Sequence, residues 1–133
     1  NYAIWDVVNS TDQSAPITSI TFTSKAGLPS GVATNTSYFK LYDELGNNWN
    51  PSSVSSTAGT VTFSSISGLT VAANQTKQLY LKINTSDTNV WPSGTQMQWT
   101  INAYGDVTVT GGGVGNAGNV WSIKADTPLI KLQ

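Results

Sequence analysis

Few residues in this chain could do chemistry. The acids are Asp6, Asp12, Asp43, Glu44, Asp87, Asp106 and Asp126, set against six lysines, with no Arg, His or Cys. Nucleophilic arrangements of the Ser-His-Asp or Cys-His kind need an imidazole that this sequence lacks. Zinc sites draw on His or Cys in nearly every familiar case. Two chemistries remain open to carboxylates alone: glycoside hydrolysis by a pair, and calcium ligation by several oxygens. Most of the acids fall in turns or at strand ends, where Asp is used to organise backbone. Asp6 alone interrupts an apolar run, and reads as an outward edge residue that discourages wrong pairing. Asp43, Glu44 and Asp87 are the set that could converge at one end of the fold around a cation, although turn acids are the plainer reading. The sequence therefore predicts no enzyme, no catalytic residue, no metal site and no cofactor.

Aromatic and amide side chains offer binding instead. Trp49 and Trp91 lie in loops, each near a proline, and an exposed loop aromatic can stack on a sugar ring. The alternative is that they cap the fold or sit in a subunit contact, where Trp is enriched. Trp5, Trp99 and Trp121 fall in strands, and Trp99 reads as core. N-glycosylation sequons begin at Asn9, Asn35, Asn74 and Asn84, all in loops or at strand ends and expected to be accessible.

The elements that must position these groups are strands. Charged residues make up 10% of the 133 residues, against roughly 25% in an ordinary domain. Solubility then falls to Ser, Thr and Asn, about a third of the chain. These side chains compete for backbone hydrogen bonds and disfavour helices. Period-two alternation recurs throughout. Tyr2 to Val8 is followed by Ile17 to Thr23, with Thr18, Ile20 and Phe22 on one face. Tyr38 to Tyr42 points Phe39 and Leu41 one way, and Asp43 to Asn47 reads as a turn. Thr60 to Ser64 turns Val61 and Phe63 inward. Lys77 to Asn84 buries Leu79, Leu81 and Ile83, and Gln96 to Tyr104 buries Met97, Trp99 and Ile101. Val107 to Thr110, Val120 to Lys124 and Pro128 to Leu132 complete eight or nine strands. This pattern predicts an all-β protein: one antiparallel, immunoglobulin-like β-sandwich domain spanning residues 1–133.

The charge balance bears on partners. Six scattered lysines with a net charge of -1 give no basic footprint for nucleic acid. No stretch approaches the ~20 apolar residues of a membrane-spanning helix. The glycine-rich segment Gly111 to Gly118 lacks the Gly-Lys-Ser/Thr of a phosphate-binding loop. The chain opens Asn1-Tyr2-Ala3, which reads as a processed mature N-terminus of an exported protein, with an excised module as the rival.

Phe39-Lys40-Leu41-Tyr42-Asp43, Gly59-Thr60-Val61-Thr62-Phe63-Ser64, Gly68 to Lys77 and Leu79-Tyr80-Leu81-Lys82-Ile83 together resemble the immunoglobulin-like modules of prokaryotic cell-surface proteins. Surface-layer, adhesin and pilus-type proteins carry such modules. The resemblance covers residues 36–110. It implies a sandwich fold and a cell-surface location, and carries no catalytic residues across.

The two ends lie outside that resemblance and are unusually apolar. Tyr2, Ala3, Ile4, Trp5, Val7 and Val8 form a run that should be buried on both faces or inserted into a groove. Leu129, Ile130 and Leu132 form a second. Segments 1–9 and 119–133 are thus candidate intersubunit strands, with the N-terminal one favoured as donor. Eight extended residues reach about 26 Å, enough to span a sheet edge. The expectation is a structural subunit of an extracellular filament, pilus or surface layer, joined to copies of itself by strand donation. The alternative is a carbohydrate-binding or adhesion module, with glycans as partners.

Overall fold

A computed structural model describes residues 2–9, 12–101, 106–109, 121–123 and 130–132. Its strands are β1 (Tyr2–Asn9), β2 (Ala15–Ser24), β3 (Phe39–Asp43), β4 (Asn48–Trp49), β5 (Ser53–Ser55), β6 (Thr60–Phe63) and β7 (Thr70–Val71). They continue as β8 (Thr76–Ile83), β9 (Gln96–Met97), β10 (Trp99–Thr100), β11 (Val107–Val109), β12 (Trp121–Ile123) and β13 (Ile130–Lys131). This exceeds the eight or nine expected, because several are two-residue pairings and one predicted run divides. The chain changes partner here: β9 pairs with β13 and β10 with β2, a register that the Lys25 N–H extends by donating to the Gln98 carbonyl at 2.7 Å. Gly111 to Gly118 lies outside the described residues.

The strands form an antiparallel β-sandwich. One sheet has the order β12-β1-β8-β3-β4. The other has the order β10-β2-β6-β5, with β7 and β11 also on β2, and β9 pairs with β13. The two faces meet through large side chains. Trp5 of β1 packs on Phe22 of β2, with ring centroids 4.6 Å apart, and Phe22 meets Phe63 edge-on at 5.8 Å. Phe39 places its ring 5.9 Å from Trp99 and 6.1 Å from Trp91. Leu41, Val61, Leu79, Leu81 and Met97 fill the space between, all buried. The alternation read from the sequence holds for β3, β6 and β8, where inward residues are buried and their neighbours are not.

In β2 the alternation breaks. Ile20, Phe22 and Ser24 are buried, but so are Ala15 and Ile17, two positions of the opposite parity. The pairing with β11 explains it: Thr108 faces Ser19, whereas the next residue, Val109, faces Ile17. Thr18 is thus the extra residue of a β-bulge, which reverses the facing of everything before it. Thr18 does not share the buried face with Ile20 and Phe22 as the sequence predicted. Its carbonyl accepts the Ile66 N–H at 2.9 Å instead.

Candidate functional site

The N-terminal strand sits inside a sheet. β1 pairs with β8 over seven positions, from Tyr2 opposite Lys82 to Val8 opposite Thr76. On its other side Val7, Val8 and Asn9 face Ile123, Ser122 and Trp121 of β12. Ala3, Trp5, Val7 and Asn9 are buried, while Tyr2, Ile4 and Asp6 face outward. The expectation that this strand is buried on both faces is therefore corrected. It has one dry and one wet face, and the wet face carries apolar residues: Tyr2 is 53% exposed and Ile4 is 48% exposed. Asp6 faces outward as expected and pairs with Gln78 of β8, while the described contact with β12 begins one residue later, at Val7.

The C-terminal candidates divide. Leu129 lies outside the described residues. Ile130 pairs with Met97, and Leu132 is half-buried against the core, with its N–H donated to the Thr95 carbonyl at 2.9 Å.

The outward residues of β1, β8 and β3 line up in rows, because paired residues in neighbouring strands point the same way. Tyr2, Lys82 and Lys40 make one row, and Ile4, Tyr80 and Tyr42 the next. Tyr2 approaches Tyr80 edge-on at 6.5 Å. The Tyr80 hydroxyl donates to Gln78 Oε1.

The four sequons are not alike. Asn35 and Asn84 are exposed, and each accepts two hydrogen bonds at Oδ1 from the serine two residues on. Ser37 donates its N–H at 3.0 Å and its hydroxyl at 2.7 Å to Asn35. Ser86 donates its N–H at 3.1 Å and its hydroxyl at 2.8 Å to Asn84. Asn74 is exposed in a turn at φ 56°. Asn9 is fully buried, contrary to the expected accessibility. Its Nδ2 donates to the Gln13 carbonyl at 2.7 Å and to the Val71 carbonyl at 3.1 Å, so the nitrogen that would take a sugar closes the end of the sandwich.

The loop tryptophans are also placed differently from expectation. Asp87 organises the segment after β8: its carbonyl accepts the N–H groups of Val90 and Trp91, and its Oδ1 accepts that of Asn89. This turn folds Trp91 back into the core, where it is 2% exposed and meets Tyr38 edge-on at 5.7 Å. Trp91 therefore offers no stacking face. Trp49 is half-buried, with Nε1 donating to the Ser67 carbonyl at 2.8 Å, beside an open cavity of about 460 Å³.

The acids do not converge. Asp43 and Glu44 lie beside the start of β8, whereas Asp87 follows its far end. Asp43 is a buried turn organiser. Its carboxylate accepts the N–H groups of Leu45 at 3.0 Å and Asn47 at 2.9 Å and the Asn47 amide at 2.9 Å, with Lys77 Nζ at 3.4 Å. Burial pushes its carboxyl up, but these hydrogen bonds and the Lys77 charge outweigh that and hold it below the ordinary value. Glu44 Oε2 accepts the Gln78 N–H at 3.0 Å. Among the described residues no three carboxylates group as metal ligands, and no helix is long and apolar enough to cross a membrane. No family model, no curated protein and no solved structure matches this chain.

Proposed function

We propose that this chain is a structural module of an extracellular filament, pilus or surface layer, of the immunoglobulin-like kind its sequence resembles, and that β1 is the strand through which copies join. The observation that carries the reading is the slot β1 fills. A strand with three dry side chains, Ala3, Trp5 and Val7, runs along β8 in a fixed register, with β12 on its other side from Val7 to Asn9. Such a slot accepts the same strand from its own chain or from a neighbour, the basis of strand exchange. Residues 10–14 would be the linker that crosses between copies. Head-to-tail exchange does not close on itself and generates fibres. A surface rich in hydroxyls and amides, with three exposed sequons, suits export and a sugar coat.

The test uses the register of Asp6 opposite Gln78, both exposed. Protein carrying Asp6→Cys is mixed with protein carrying Gln78→Cys, allowed to assemble and then oxidised. Disulfide-linked dimers between the two populations are expected, together with filaments or a lattice in negative-stain electron microscopy. Discrete particles without interchain disulfides, alongside an intrachain disulfide in the double variant, would overturn the exchange of β1.

A further inference from the structure

We propose that the outer face of the β1-β8-β3 sheet is a binding platform for an acidic polysaccharide. Three observations converge there.

The first is the aromatic surface. Tyrosine is half apolar ring and half polar tip, suited to a contact that is dry on one side and wet on the other. Tyr2, Tyr80 and Tyr42 lie in adjacent rows across three strands, with Ile4 beside Tyr80, and Tyr2 and Ile4 are among the most exposed large apolar side chains of the described residues. The tryptophans Trp5, Trp91 and Trp99, by contrast, are spent on the core.

The second is charge. Lys40 and Lys82 are direct cross-strand partners pointing outward. Like charges in that position repel. Among the described residues neither lysine forms an ion pair. Two uncompensated cations side by side fit an anionic occupant, with a carboxylate between them.

The third is shape. A cavity of about 300 Å³ opens at this point, lined by Ser37, Tyr38, Lys40, Tyr42, Lys82 and Asn84. Its hydroxyl and amide groups match sugar hydroxyls, while the rings beside it match the C–H faces of the sugar. A polyuronate supplies both kinds of group in every residue. A polynucleotide also stacks on aromatics, but its binding depends on many phosphate contacts, and Asp6 stands on this same face.

The experiment is affinity electrophoresis and calorimetry of the full chain, made without glycan at Asn84, with polygalacturonate, with dextran as the neutral polymer and oligo(dT) as the nucleic acid. Retardation by polygalacturonate, weakened by added salt, is expected, and none by dextran. Lys40→Ala with Lys82→Ala should lose at least about tenfold in affinity, as loss of charged hydrogen-bond donors implies, and Tyr80→Ala should also weaken binding. Lys25→Ala, a single-lysine control in a loop away from this face, should bind as the parent does. All variants should stay folded: the double lysine variant loses only a repulsive pair, and Tyr80→Ala loses the edge contact with Tyr2 without opening the core. No retardation by polygalacturonate, equal binding to dextran, tighter binding to oligo(dT), or unchanged affinity in the double lysine variant would each overturn the proposal. None of these results depends on filament formation.

Discussion

Trp5 and Phe22 hold the two sheets together, their rings tilted 35° to one another with centroids 4.6 Å apart and both side chains buried. Trp5 belongs to a strand whose partners lie far along the sequence, so its ring anchors β1 in register. Trp5→Ala should cost about 3–5 kcal/mol, the range for truncating a buried aromatic. Ile4→Ala, one position along on the wet face, should stay within about 0.5 kcal/mol. Urea unfolding of both variants checks the contrast, and equal losses would show that β1 is not anchored through Trp5.

Glycan mapping separates the sequons. Expressed in a host that glycosylates asparagine, the chain should carry sugar at Asn35, Asn74 and Asn84 and none at Asn9. Peptide mass spectrometry reads the occupancy. Asn9→Ala should destabilise by about 1–3 kcal/mol, because it leaves the Val71 and Gln13 carbonyls without their donor.

Asp43 gives the protein an acid limb. Its folded carboxyl lies below the ordinary value of 3.8, so the unfolded chain takes up that proton first. The stability it contributes is fully present above about pH 5 and is lost as pH falls through 3.8 toward the folded value. Asp43→Asn should lower stability at neutral pH by about 1–3 kcal/mol and flatten the loss between about pH 5 and pH 2. Chemical denaturation across that range measures both effects, and an unchanged acid slope in the variant would assign the limb to other carboxylates.

Gly59 stands where no side chain fits well. Its φ is +69°, and a Cβ there would lie 3.1 Å from the Ser24 carbonyl oxygen. The same two residues are tied by the Ser24 N–H donated to the Gly59 carbonyl at 2.8 Å. Gly46 has φ +87° but open space around it. Gly59→Ala should therefore lower the melting temperature more than Gly46→Ala, which carries only the backbone strain of about 1–2 kcal/mol.

The sandwich itself was legible because alternation is a local signal. Phe39 and Leu41 against Lys40 and Tyr42, or Leu79, Leu81 and Ile83 against Tyr80 and Lys82, announce a strand with one wet face without reference to anything distant. Three features were not legible, each because it is settled by a distant partner. The parity of Ile17 depends on how β11 skips Thr18, some ninety positions on. Burial of Trp91 depends on a turn closed by Asp87 and on rings from β3. Asn9 reads as an exposed strand end until the Val71 carbonyl meets it. The outer platform was half visible: the sequence put Tyr80 and Lys82 outside, but only pairing sets Lys82 beside Lys40 and Tyr80 beside Ile4.

The placement of β1 also dictates an order of events. The partners of this first strand lie on the order of seventy positions downstream in β8, and farther still in β12. As the chain is made from its N-terminus, Tyr2 to Asn9 appears long before either neighbour exists. Pairings this distant are slow to form, because a large loop must close before any contact rewards it. An apolar segment therefore stays unsatisfied until β8 has been made, and in a crowded polysome it is exposed to the equivalent segment of neighbouring chains. A holding factor that keeps the first nine residues apart until β8 and β12 have emerged would speed maturation more than any help given to the hairpin of β5 and β6, whose partners are close at hand.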